Sequence, residues 1–357
     1  MMIPFLRALY LSEHGIGETK IDYAQLLQEI ESSSTGAQIY ALLKEAERLR
    51  SVPAFFFAAL SRIYQACFMQ NMVIRHETEL LLRKFEANGI PVIPLKGTML
   101  AERYFGHFAA RGTSDIDLLV APEHIQAALA CVANAGYCTP LKENPEHYHL
   151  EWTKTSSGLP EPLPVELHWS LAPSGTSRMD MRTAWENSIR LDGYDNVRVW
   201  NATYTFYALC LHGASHLMDS AKYILDLLHL LVRHREGIDM EWIWNQARSD
   251  GTSRRVVAAL ACLYGHFPEL RSVKPLPFEP RLRFWKPDAE SGSIRRTIRK
   301  LTVMDSWRYR LGYLFRTVIP SEALARYSLD DAGSPRSLPA LYYRLYKQRL
   351  RKLIRGA

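Results

Sequence analysis

The sequence predicts an α+β fold, a mixed sheet core set between N-terminal and C-terminal helical regions. Three observations carry this. Apolar residues recur at helical spacing up to about residue 88 and again from about 181. Between them the period falls to two, with short β-branched runs. Gly and Pro punctuate the two changes of period. The expected division is 1–88 (helical), 89–180 (α/β core) and 181–357 (helical).

In the first region, residues 37–49 place Ile39, Leu42, Leu43, Ala46 and Leu49 on one face and end before Pro53. A longer helix is expected over 54–87. Its core-facing stripe is Phe55, Leu60, Ile63, Cys67, Met72, Ile74, Leu80, Leu81 and Phe85, and Asn88-Gly89 provides a left-handed stop. Residues 90–95, short, apolar and bounded by Gly89 and Gly97, read as a strand, and 98–105 as a short helix. Residues 115–120 alternate Asp/Ile/Asp/Leu before an apolar end, a strong strand signal. Pro122 opens a helix through 133. Further strands are expected at 137–141, 149–155 and 164–171, the last with Val165, Leu167 and Trp169 on one face. Helices are expected over 203–217, 223–235, 241–247, 253–264, 295–313 and 341–354, with a Pro-rich break at Pro275, Pro277 and Pro280.

Composition narrows the class. The chain has 357 residues, 47% hydrophobic and 23% charged, enough for a sizeable core. Its 44 Lys+Arg against 37 Asp+Glu give a net charge of +7, compatible with anionic partners without selecting one. Five cysteines lack any C-x-x-C spacing, so a reduced, cytoplasmic protein is expected, not a disulfide frame. The first residues lack a signal-peptide pattern, and no apolar run approaches the roughly 20 residues that span a bilayer. No G-x-G-x-x-G, P-loop, H-E-x-x-H or recognisable Ser-His-acid set occurs.

The chemistry concentrates at Leu95-Lys96-Gly97-Thr98 and at Arg111 to Val120. On a strand, Asp115 and Asp117 project to one face about 7 Å apart. Two such carboxylates on an otherwise apolar strand are costly without a cation or hydrogen bonds. Mg²⁺ is the natural compensator, since it takes one or two carboxylates together with substrate phosphates. Glu166, on another alternating strand, completes a candidate set. An isolated D-x-D is more often a solvated edge-strand face. Here the pair lies between an Arg-Gly-Thr-Ser loop and Leu118-Leu119-Val120, which suits a buried strand entering a site.

Together these residues resemble the nucleotidyltransferase superfamily, in which a glycine-containing turn opens a helix and a D-x-D strand follows. They are most similar to a group of bacterial nucleotidyltransferase-like proteins with a Leu-Lys-Gly turn, an arginine before a D-I-D-L-L-V strand, and a later acidic-x-His-Trp strand. The matching residues are Leu95-Lys96-Gly97, Arg111, Asp115 to Val120, and Glu166-Leu167-His168-Trp169, with a looser match through His212, His216 and Asp226.

The resemblance implies a nucleotidyltransferase-like mixed sheet and a divalent-metal site, Mg²⁺ or Mn²⁺, at Asp115, Asp117 and Glu166. It also implies transfer of a nucleoside monophosphate from an NTP to an acceptor, which the sequence leaves open among a small molecule, a peptide or protein, and RNA. Where the superfamily has Gly-Ser, this chain has Lys96-Gly97. Gly97 still lets backbone approach phosphate at a helix N-terminus, with Lys96, Thr98 and Ser114 as further phosphate ligands. A non-catalytic nucleotide- or phospholigand-binding module is the alternative. Arg111 either contacts a phosphate or pairs with nearby carboxylates. His212 and His216, four apart, share a helix face as a structural or substrate-facing pair, and Asp226 buttresses that face or a nucleotide. His168 shares a strand face with Glu166 and belongs at the site edge; His147 and His149 carry no distinguishing context. The basic C-terminal segment, with Arg344, Lys347, Arg349, Arg351, Lys352 and Arg355 among apolar residues, reads as a solvated face of a packed helix, or as a contact for RNA, acidic protein or membrane.

Overall fold

A computed structural model describes residues 1–11, 20–139, 148–155, 158–278, 293–329 and 337–354. The expected strand at 137–141 runs partly outside them, as do His147, Pro280 and Arg355; within them, Cys138 forms a single antiparallel bridge to Thr153.

Three helices open the chain: α1 (Met2–Tyr10), α2 (Tyr23–Ser33) and α3 (Gly36–Glu45). The Asp22 carboxylate caps α2 by accepting from the Ala24 and Gln25 amides. α3 ends before the expected residue 49, because Glu47 takes positive φ and a 3₁₀ turn follows. α4 (Ala54–Ala87) spans the molecule. Its first turns pack Phe56 and Leu60 into the main helical core, and its last turns pack Ile74, Leu81, Leu82 and Phe85 against the sheet. The expected stripe is therefore wrong at Phe55, Met72 and Leu80, which are exposed. One helix serving two cores changes its buried face along its length, and no single period describes that.

The sheet has strand order β1-β2-β4-β3. β1 (Val92–Pro94) leads into α5 (Gly97–Phe105); β2 (Ile116–Val120) is followed by α6 (Ile125–Ala133). β3 (His149–Lys154) and β4 (Leu163–His168) complete it. β2 pairs antiparallel with β1 and parallel with β4, while β3 and β4 are antiparallel. All five residues of β2 are buried, and in β4 Leu163, Val165 and Leu167 are. Trp169 lies beyond the strand and is half-buried.

Beyond α7 (Arg182–Glu186), where helix was expected, comes a ribbon of β5 (Ser188–Arg190) and β6 (Arg198–Trp200). Gly193, at φ +84°, turns it, and the Glu86 carboxylate accepts from the Asp195 and Asn196 amides at 2.9 and 2.8 Å. Helices follow: α8 (Ala202–Ser215), α9 (Ala221–Arg233), α10 (Met240–Asp250), α11 (Ser253–His266) and the single-turn α12 (Leu270–Val273). The expected 295–313 helix is two, α13 (Ser293–Thr302) and α14 (Trp307–Val318), since Ser306 caps α14 and Asp305 turns away to accept from the Ser253 and Arg254 amides. α15 (Glu322–Ser328) and α16 (Leu338–Ile354) pack together through Ala325, Leu341 and Leu345.

The main core joins residues from α1 to α4 with residues from α8 to α11, so the two helical regions share one interior. The sheet's own core lies beside it. No helix among the described residues is long and apolar enough to cross a membrane.

Candidate active site

The strand register assembles the acidic group. Asp117 on β2 lies directly opposite Glu166 on β4, and Glu166 lies opposite Glu151 on β3. Neighbouring strands are about 4.8 Å apart, so these carboxylates line up across one face of the sheet. Asp115 precedes β2 and is held by the Thr113 hydroxyl, which donates to Asp115 Oδ1 at 3.1 Å. One carboxylate oxygen from each of Asp115, Asp117 and Glu166 can be chosen so that all three lie within 4.8 Å of one another. An all-oxygen set of this kind suits a hard divalent cation. His149, Glu166 and His168 form an overlapping group at the same spacing.

Two cations address Asp117 directly. Lys96 Nζ lies 2.9 Å from Asp117 Oδ2, an ion pair without the alignment of a hydrogen bond. His168 Nε2 lies 3.0 Å from Asp117 Oδ1 and 3.0 Å from Glu166 Oε2, bridging the two carboxylates. Burial alone pushes the Asp117 carboxyl up. Lys96 and His168 outweigh it and hold the group well below the ordinary carboxylate value. The same balance acts in reverse on the partners: burial opposes the charge on Lys96 and His168, and the surrounding carboxylates raise both above their usual values. Burial and Asp117 push Glu166 up, and His168 together with His149 outweighs them, so it lies below the ordinary carboxylate value and is ionised at neutral pH.

Gly97 begins α5 at φ +71°, a conformation that favours glycine, with Thr113 and the Asp115 carbonyl facing it. Thr98, in the first turn, is buried with its hydroxyl unpaired among the described residues. Ser114 is exposed at the end of the loop before β2.

Arg111 does not pair with the Asp115 and Asp117 carboxylates beside it in sequence. It is buried, and its Nε and one Nη donate to Asp226 on α9 at 2.9 Å each. Gln38 on α3 donates to the same carboxylate at 2.8 Å. Asp226 thus anchors the loop that carries Asp115. His212 lines a small cavity of about 50 Å³ with Lys96, His168, Tyr148 and Trp200. Burial, helped by Lys96, holds His212 well below the usual histidine value. His216 stacks on Tyr223, ring centres 5.2 Å apart.

Sequence reasoning missed Glu151 as a member of the acidic row. The alternation of His149 and Glu151 along β3 was the available signal.

The mixed sheet thus aligns carboxylates from two parallel strands beside a glycine-opened helix. A sequence family described as uncharacterised nucleotidyltransferase matches residues 19–268, well over half of the chain. The chain belongs to this nucleotidyltransferase family, and its architecture is a nucleotidyltransferase-like α+β fold. No curated protein matches it. A remote likeness exists to the solution structure of the antibiotic-resistance factor ANT(2'')-Ia, at 18% identity and TM-score 0.32, covering 56% of this chain and 97% of that one.

Proposed function

We propose that the protein is a metal-dependent nucleotidyltransferase, moving a nucleoside monophosphate from an NTP to an acceptor. The observation that carries this is the cross-strand register of Asp117 and Glu166, with Asp115 close enough to share a cation with both. Mg²⁺ or Mn²⁺ held by these three would supply Lewis-acid stabilisation of negative charge on the phosphate oxygens.

The chain's own groups would do the rest. The α5 N-terminus presents backbone amides at Gly97 and Thr98 to phosphate. Lys96 adds a cation, and Ser114 a hydroxyl beside Asp115. Glu166, ionised and half-buried beside His168, would take a proton from the acceptor's nucleophile. Arg111, paired with Asp226, would position the Asp115 loop. The α/β core of 89–180 would hold the chemistry, and the helical regions before and after it the walls of the acceptor space.

Replacing Asp115 and Asp117 together by Asn tests this. Pyrophosphate release from the four NTPs with Mg²⁺ or Mn²⁺ is expected to fall about a thousand-fold or more, with the circular-dichroism spectrum retained. Full turnover by the double variant would refute the assignment.

A second reading rests on Asp117 itself. Lys96 and His168 already neutralise it, so the same pocket serves as a metal-independent module for a nucleotide or phosphorylated ligand. Calorimetry with and without Mg²⁺ separates the two: tight NTP binding indifferent to Mg²⁺, without pyrophosphate release, favours the module.

A further inference from the structure

A second cavity, of about 400 Å³, opens against the loop before Asp115, at Gly112, Thr113 and Ser114. Its walls are Ala37 of α3, Ile63, Ala66 and Gln70 of α4, the loop at Ser114, and Lys222 of α9. The middle of α4, from 61 to 70, buries no residue fully; this is the stretch between its two cores, and the cavity occupies it. Gln70 holds the loop in place, its Nε2 donating to the Thr113 carbonyl at 2.6 Å.

Lys222 sits here under three unfavourable conditions. It lies in the first turn of α9, where the helix dipole disfavours a cation. It neighbours Arg111, whose like charge repels it, and it is largely buried. Among the described residues its ammonium makes no hydrogen bond or ion pair. Asp226, one turn along, is already engaged by Arg111 and Gln38. Glu31, the acidic residue of the cavity wall, is exposed to solvent at the end of α2. A desolvated, unpaired cation facing a cavity of ligand size is the complement of an anion.

We propose that this cavity receives a phosphate group bound by Lys222, with the Ser114 hydroxyl at its rim. The inference rests on the nucleotidyl-transfer reading for the identity of the anion as phosphate. Two sources share that chemistry: the polyphosphate tail of the nucleotide, and the phosphate of a phosphorylated acceptor. A phosphate entering here would lie beside the loop at Gly112, Thr113 and Ser114, in a cavity separate from the small one that Lys96, His168 and His212 line.

The test is calorimetry on the full chain in EDTA, with tripolyphosphate and glycerol 3-phosphate as probes. Lys222→Ala is expected to weaken at least one probe by about 30-fold, the usual worth of a charge-assisted hydrogen bond, while Lys222→Arg stays within a few-fold of wild type. Ala66→Trp, at an exposed position of the wall, is expected to block the same probe without touching Lys222, so the test survives if the alanine variant fails to fold. Loss of tripolyphosphate assigns the cavity to the nucleotide tail; loss of glycerol 3-phosphate assigns it to an acceptor. A wild type that binds neither probe, or variants that bind both as wild type does, would overturn the proposal. Because no turnover is read, its failure leaves the carboxylate assignment standing. Absent pyrophosphate release with intact Lys222-dependent binding would sink the transfer reading alone.

Discussion

Lys96 and His168 meet on Asp117, one at each carboxylate oxygen, and this sets the electrostatics of the centre. A carboxylate fully removed from water is held ionised by two neighbours that burial alone would discharge. Lys222 shows the contrary case. The charge on Arg111, and then burial, lowers it from 10.5 to about 8, while Asp226 and Asp115 pull the other way. Between those two values the unfolded chain binds more protons than the folded one, so stability rises with pH across the window. Below about 8 the penalty is present in full. Lys222→Met is therefore expected to be more stable than wild type at neutral pH, with the advantage shrinking to nothing as the pH nears 10.5. Urea midpoints at several pH values read this, and a difference independent of pH would count against a strained lysine. A bound phosphate would relieve that cost, so the proposed contact at Lys222 and its stability penalty are tested together.

At the scale of elements, the site depends on two short transitions. One is the β1-to-α5 turn, where Gly97 at φ +71° lets the helix begin without a side chain between it and the Asp115 carbonyl. An added Cβ would meet Thr113 Oγ1 at 3.5 Å, an ordinary contact. The cost of Gly97→Ala therefore lies in the backbone, at about 1–2 kcal/mol, and denaturation should show that loss. If the variant is as stable as wild type, the left-handed turn is not required. The other transition is the parallel pairing of β2 with β4, which alone brings Glu166 to Asp117. Both strands were legible as alternating segments, and so were the candidate carboxylates on each. Their register was not, because hydrophobic alternation fixes which face a residue takes but not which neighbour it meets.

Across the whole molecule, the sheet and the helical body are tied by a buried ion pair. Arg111, on the loop before β2, is held by Asp226 of α9, 115 residues further along the chain, with Gln38 of α3 on the same carboxylate. Asp226→Ala would leave a buried guanidinium uncompensated, and a loss of about 3–5 kcal/mol is expected. The pair Arg111→Met with Asp226→Leu should recover much of that loss while still mispositioning Asp115, lowering turnover. Urea unfolding of the three proteins checks the first claim, and pyrophosphate release the second. A double variant as unstable as the single one would show that the tie does more than neutralise charge.

The sequence by itself indicated the helical flanks, the strands β1, β2, β3 and β4, the glycine turn, and Asp115, Asp117 and Glu166 as candidate acidic residues, because these follow from local periodicity and from the cost of carboxylates on apolar strands; it did not show the β5–β6 ribbon or the break between α13 and α14. It did not determine partners. That Lys96 and His168 converge on Asp117, that Glu151 joins the acidic row, that Arg111 turns from its sequence neighbours to Asp226, and that α4 opens a cavity between its two cores were decided only by tertiary packing. Each depends on distance between residues far apart in the chain. Charges settle their partners by distance and desolvation, and neither quantity is written in the local pattern.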